Sequence, residues 1–192
     1  MPALPGWAVR DTLGHVAGVC ADVLSGRLDG APGDEWTRRQ VTERAGLSCD
    51  QVAAEWAANA QALLSRLAVD RRYTRTALDV WHHWFDVVGA LHLPVVWVAP
   101  MVTLLVTEQV RVLTRRWPPE LPTIAVVAPS GGWRIGGADP TVTVEADDFE
   151  LVRALAGRRS PAQMSALRWS TDPGPWLRHL TMFTPAAAPQ SV

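Results

Sequence analysis

Eight consecutive residues, Asp79-Val80-Trp81-His82-His83-Trp84-Phe85-Asp86, set four ionisable side chains among Trp, Phe and Val. At about 100° per residue on a helix, Asp79, His82, His83 and Asp86 share an arc of roughly 100°. Asp79 and His83 stand four apart, one turn above the other. At that spacing a carboxylate oxygen and an imidazole nitrogen can reach one cation from a single helix, with a third ligand supplied from elsewhere. The same spacing also describes an ordinary Asp–His pair on a solvated helix face.

The element that carries these residues is expected from about residue 76 to 91, stopped by Pro94. Leu78, Trp81, Phe85 and Val88 form one apolar row; Val80, Trp84, Val87 and Leu91 form a second. The Asp/His row is then a polar stripe in an otherwise buried helix, where charges are paired or bound to metal. Ahead of it, residues 9–26 read as a helix with Val9, Leu13, Val16, Cys20, Val23 and Leu24 on its apolar stripe. His15 falls just beyond the edge of that stripe, so periodicity alone makes it a boundary or surface residue. Gly14 and Gly18 weaken this helix unless another backbone or a ligand approaches there. Residues 27–47 read as a polar connector with a short helical candidate at 35–44. Ser48 and Gln51 form a capping box that opens a helix running to about Val69, with Val52, Trp56, Ala60, Leu63 and Leu67 inward.

A further helix is expected from about residue 98 to 116, broken by Trp117-Pro118-Pro119. The texture then changes. Residues 124–127, 133–135 and 141–145 read as strands separated by Gly- and Pro-rich turns. Asp147 and Glu150 cap a helix over 148–156, with Gly157 just past its end, and Ser160-Pro161 starts a short one. Residues 173–183 read as a terminal helix or amphipathic segment, and 187–192 as a disordered tail. The expected architecture is α+β: a helical region over 1–117, then a small α+β domain over 118–186.

Composition narrows the chemistry. An apolar content of 48% with 19% charged residues is that of a packed globular chain. A net charge of −1 offers no electrostatic footprint for nucleic acid or anionic membrane. All 18 basic residues are Arg, which removes Schiff-base and P-loop lysines. The apolar run from 93 to 107 is cut by Pro94 and Pro100 and is too short for a bilayer span. Cys20 and Cys49 make no disulfide framework, and no secretory signal opens the chain, so a reducing cytoplasm is expected.

Three segments in order resemble the mycothiol-dependent maleylpyruvate isomerase-like proteins. They are Gly6-Trp7-Ala8-Val9-Arg10-Asp11-Thr12-Leu13-Gly14-His15-Val16, the stretch from Asp79 to Asp86, and the 148–159 helix that ends in Gly157-Arg158. The resemblance implies a DinB-like helical bundle that binds a divalent metal, usually zinc, followed by a small sterol-carrier-like α/β domain. It implies His15, Asp79 and His83 as metal ligands. His82 and Asp86 would lie behind them, Asp86 accepting the distal N–H of a ligand histidine. Arg158 is a candidate for a substrate anion. The implied cofactors are the metal and mycothiol, a small thiol that an open metal position activates at neutral pH. The implied partner is a small acidic or electrophilic substrate, and the implied activity that of an isomerase or thiol transferase. A non-catalytic metal-binding or interaction protein on the same scaffold is the alternative.

Two departures from the family pattern stand out. Asp79 occupies a position where the family carries Glu, one methylene longer. The family's first bundle helix should precede Gly6-Trp7, where only five residues stand. Either the true start lies upstream of Met1, which is the preferred expectation, or the open groove is covered by the 98–116 helix or by a second protomer. A homo-oligomer is therefore among the expectations.

Overall fold

The structure is a computed structural model that describes residues 1–70, 73–95 and 98–190. The described residues divide into two compact units, 1–95 and 98–190.

The first unit holds α1 (Val9–Ser25), α2 (Asp34–Arg44), α3 (Cys49–Leu67) and α4 (Thr74–Ala90). At the start of α1 the Asp11 carboxylate accepts the Ala8 N–H at 2.8 Å. The helix ends on Gly26 at φ +77°, a left-handed conformation that glycine adopts without strain. α2, α3 and α4 all pack on α1. Its buried arc is accordingly wider than one apolar stripe and takes in Thr12, His15 and Asp22 beside Val16, Ala17, Val19 and Cys20. His15 is thus buried, not peripheral as periodicity suggests.

α3 starts where the sequence places it, with the Ser48 hydroxyl accepting the Gln51 N–H and the Gln51 side chain accepting the Ser48 N–H. α2 stands where the short helical candidate at 35–44 was read within the polar connector. It crosses α1 over the two glycines: a Cβ at Gly14 would lie 3.6 Å from Arg44 Cβ, and one at Gly18 only 2.5 Å from Gln40 Cβ. Buried Arg44 forks onto Glu55 of α3 at 2.5 and 3.0 Å, tying α2 to α3 as well. In α4, Leu78, Phe85 and Val88 are buried, whereas Trp84 and Leu91 of the second apolar row are 46% and 51% exposed. This helix buries one side, not most of its circumference.

The second unit begins with α5 (Ala99–Arg115). It packs on α6 (Asp148–Leu155) and β2 (Gly131–Ile135). Gln109 donates to the Val152 carbonyl at 2.9 Å, Thr114 to the Arg134 carbonyl at 3.2 Å, and the Trp133 indole to Thr107 at 2.9 Å. The chain therefore divides between 95 and 98 rather than at 117; Trp117-Pro118-Pro119 ends α5 without separating the units. The sheet order is β2, β1 (Ile124–Ala128), β3 (Val142–Glu145), β4 (Arg168–Trp169), with β1 and β3 parallel and the outer pairs antiparallel. Ile124 sits beside both Ile135 and Val142, and Val126 beside Val144, so alternate residues of three strands form one buried face.

β4 has two residues, too few for an alternation signal. Asp147 caps α6 through the Glu150 N–H, and Ser160 caps α7 (Pro161–Ser165). A single 3-10 turn, Leu177–His179, stands where a terminal helix or amphipathic segment over 173–183 was expected. The described part of the 187–192 tail is bonded: Gln190 and Gln163 exchange two hydrogen bonds at 2.7 and 2.9 Å. Residues 191 and 192 lie outside the described residues. Among the described residues, no helix is long and apolar enough to cross a membrane.

Candidate metal centre

α1 and α4 bring His15, Asp79 and His83 together, with one ligand atom from each lying within 4.8 Å of the others. His15 Nε2 stands 3.6 Å from Asp79 Oδ2, and His83 Nε2 stands 3.7 Å from Asp79 Oδ1. The two imidazoles meet edge to face with centroids 5.0 Å apart. Both histidines are buried, while the Asp79 side chain is 36% exposed. The exposed part of that side chain does not include Oδ2, which is sealed from solvent.

Each histidine turns its other nitrogen to the protein. His15 Nδ1 lies 2.7 Å from Gln40 Oε1, and Gln40 Nε2 donates to Asp22 Oδ2 at 2.8 Å. His83 Nδ1 lies 3.3 Å from Asp86 Oδ2, on a carboxylate that is fully buried. Trp7 approaches the edge of His15 at 5.5 Å and stacks over His83 at 6.5 Å, and Trp36 meets His15 at 6.3 Å.

The residues present fit a divalent cation on two observations. Asp79 Oδ2 is sealed from solvent and accepts no hydrogen bond among the described residues. The Nε2 atoms converge on that carboxylate while the Nδ1 atoms face Gln40 and Asp86, an arrangement suited to histidine ligation. Enclosure pushes the Asp79 carboxyl up, but the His15 contact and the nearby His83, His15 and His82 charges outweigh it and hold the carboxyl below its ordinary value. A ligand that stays ionised at neutral pH follows.

The remaining candidates separate cleanly. His82 lies outside the three-residue cluster. Cys20 faces the core, and burial, opposed by the Trp56 indole and reinforced by Asp79, pushes its thiol up to about 11. Its sulfur is not among the clustered ligand atoms, which come from His15, Asp79 and His83. Arg158 belongs to the second unit, its guanidinium 5.9 Å over the Phe183 ring. Its neighbour Arg159 is buried in a fork onto Glu150 at 2.5 and 2.7 Å.

Sequence reasoning missed Gln40 and Asp22, because a glutamine in a mixed-charge connector carries no periodic signal. Gly14 and Gly18 were the available clue, since close approach of another element was the condition attached to them.

Two solved structures resemble this chain over 88% of its length. They are the mycothiol-dependent maleylpyruvate isomerase, at a TM-score of 0.52, and a histidine-to-alanine variant of it, at 0.53. Each is 16% identical, and each alignment covers 88% of this chain and 80% of that one. This chain has the isomerase's fold. No sequence-family description matches the chain, and no curated protein matches it. At 16% identity the likeness to the isomerase carries the architecture: a helical first part, then a small mixed four-stranded sheet.

Proposed function

We propose that the protein is a metal-dependent enzyme that uses a small thiol, mycothiol by analogy with the isomerase, to add to a small electrophilic substrate. The observation that carries this reading is the His15/Asp79/His83 cluster, built from two helices of the isomerase's fold. A divalent cation, zinc by the chemistry of two imidazoles and a carboxylate, would supply Lewis acidity and lower the pKa of a thiol beside it. His15, Asp79 and His83 would hold that ion. Three protein ligands rather than four suit a site that keeps one position exchangeable.

The protein's own residues divide the remaining work. Trp7 and Trp36 flank the imidazoles and exclude water from them. Asp86 Oδ2 stands 3.3 Å from His83 Nδ1, on the side of the ring away from Nε2.

Calorimetric titration with mycothiol tests the reading. Saturable binding in the zinc-loaded protein, lost when zinc is withheld, is the expected result. Zinc uptake without any thiol binding would leave a metal-binding protein that does not use this cofactor.

A further inference from the structure

The hydrogen bonds behind His15 have a direction, and that direction decides which of its nitrogens is bare. Asp22 is fully buried. Its Oδ1 accepts Arg27 Nε at 2.8 Å and is ion-paired with Arg27 Nη2 at 2.6 Å. Its Oδ2 accepts Arg39 Nη2 at 3.3 Å and the Gln40 amide at 2.8 Å. An ionised carboxylate has no proton to give, so Gln40 must turn its NH2 toward Asp22. The Gln40 carbonyl oxygen then faces the other way, 2.7 Å from His15 Nδ1. A carbonyl only accepts, so Nδ1 carries the proton of the neutral ring, and Nε2 carries the lone pair.

From this we infer that Gln40 is a positioning residue, its amide oriented by the Arg27/Arg39–Asp22 cluster so that His15 presents a bare Nε2 to a divalent cation. The inference rests on the metal reading above. Without the relay, Asp79 Oδ2, 3.6 Å from Nε2, would draw the imidazole proton into the space between them. A cation would then have to displace it. The relay puts the proton on the far side. Gly18 is what lets it be built, because any side chain there would occupy the path of the Gln40 methylenes, 2.5 and 2.6 Å from a Cβ.

Two variants test it. In Asp22→Asn the oxygen of the new amide stays with Arg27, whose Nε donates at 2.8 Å against 3.3 Å for Arg39, and its NH2 faces Gln40. The Gln40 amide must then turn over and donate to His15 Nδ1, which moves the ring proton to Nε2. Gln40→Met removes the carbonyl and keeps the volume. Long-range 1H–15N correlation spectra of the metal-free proteins, at mildly alkaline pH, report which nitrogen is protonated. Zinc affinity comes from chelator competition on the same samples, and circular dichroism identifies the variants that keep the native fold. The expected result is Nδ1–H in the wild type, Nε2–H in Asp22→Asn, and zinc affinity lower by about 10- to 100-fold in both variants. Nε2–H in the wild type, or folded variants with unchanged tautomer and affinity, would overturn the relay. If the wild type takes up no zinc, the metal reading fails, and the tautomers of wild type and Asp22→Asn still decide the relay.

Discussion

Burial and neighbouring donors pull the Asp22 carboxyl in opposite directions. Burial raises its pKa; Gln40, Arg27 and Arg39 lower it and prevail, so it lies below its ordinary 3.8. A depressed carboxyl contributes stability that is fully present above the unfolded-state value and is lost as pH falls through the folded one. Thermal melts of the wild type should therefore lose stability steeply on acidification below about pH 4. Asp22→Asn should be less stable at neutral pH, with a shallower acid limb. Parallel acid limbs would mean that Asp22 is not ionised in the fold. At this scale the sequence shows Asp79 and His83 through their spacing, but not His15, whose burial depends on three helices packing around α1. Gln40 and Asp22 are invisible to periodicity, because a polar network is specified by where helices cross.

The crossing of α1 and α2 can be probed through its two glycines. At Gly14 the nearest atom to an added Cβ is 3.6 Å away, an ordinary contact. Gly14→Ala should stabilise the protein by roughly the helix-propensity difference, about 0.8–1 kcal/mol. At Gly18 the added Cβ would sit 2.5 Å from Gln40 Cβ, and overpacking of that kind costs about 1–3 kcal/mol. Gly18→Ala should be destabilising despite the same propensity gain, as measured by urea unfolding; equal effects at the two positions would contradict the crossing geometry. Elements with local signals were legible: the Ser48 and Asp147 caps and the alternating strands appear where the residues place them. The 173–183 segment was not. It carries Pro173, Gly174 and Pro175, and folds as a 3-10 turn held from outside, with Met182 N–H donating to the Leu155 carbonyl at 2.7 Å.

Across the whole molecule, the division between 95 and 98 assigns α5 to the sheet-bearing unit. The composition break at Trp117-Pro118-Pro119 suggested otherwise, because a proline pair ends a helix whether or not a domain ends with it. A fragment spanning 98–190 should melt cooperatively in calorimetry, whereas one spanning 118–186 lacks the helix that covers β2 and α6 and should not. Both fragments behaving alike would count against the assignment of α5. The fold as a whole was legible through order: three segments in register pointed to the isomerase, and the solved isomerase structures match across 88% of the chain. Mycothiol use, the substrate and the identity of the metal belong to the proposal, since 16% identity carries architecture alone. The most direct test of the central claim is zinc content by elemental analysis after loading and exhaustive dialysis, in the wild type and in His15→Ala and His83→Ala. About one zinc per wild-type chain, with most of it lost in each folded variant, is the expected result; retention of zinc by both variants, or none in the wild type, would contradict the site.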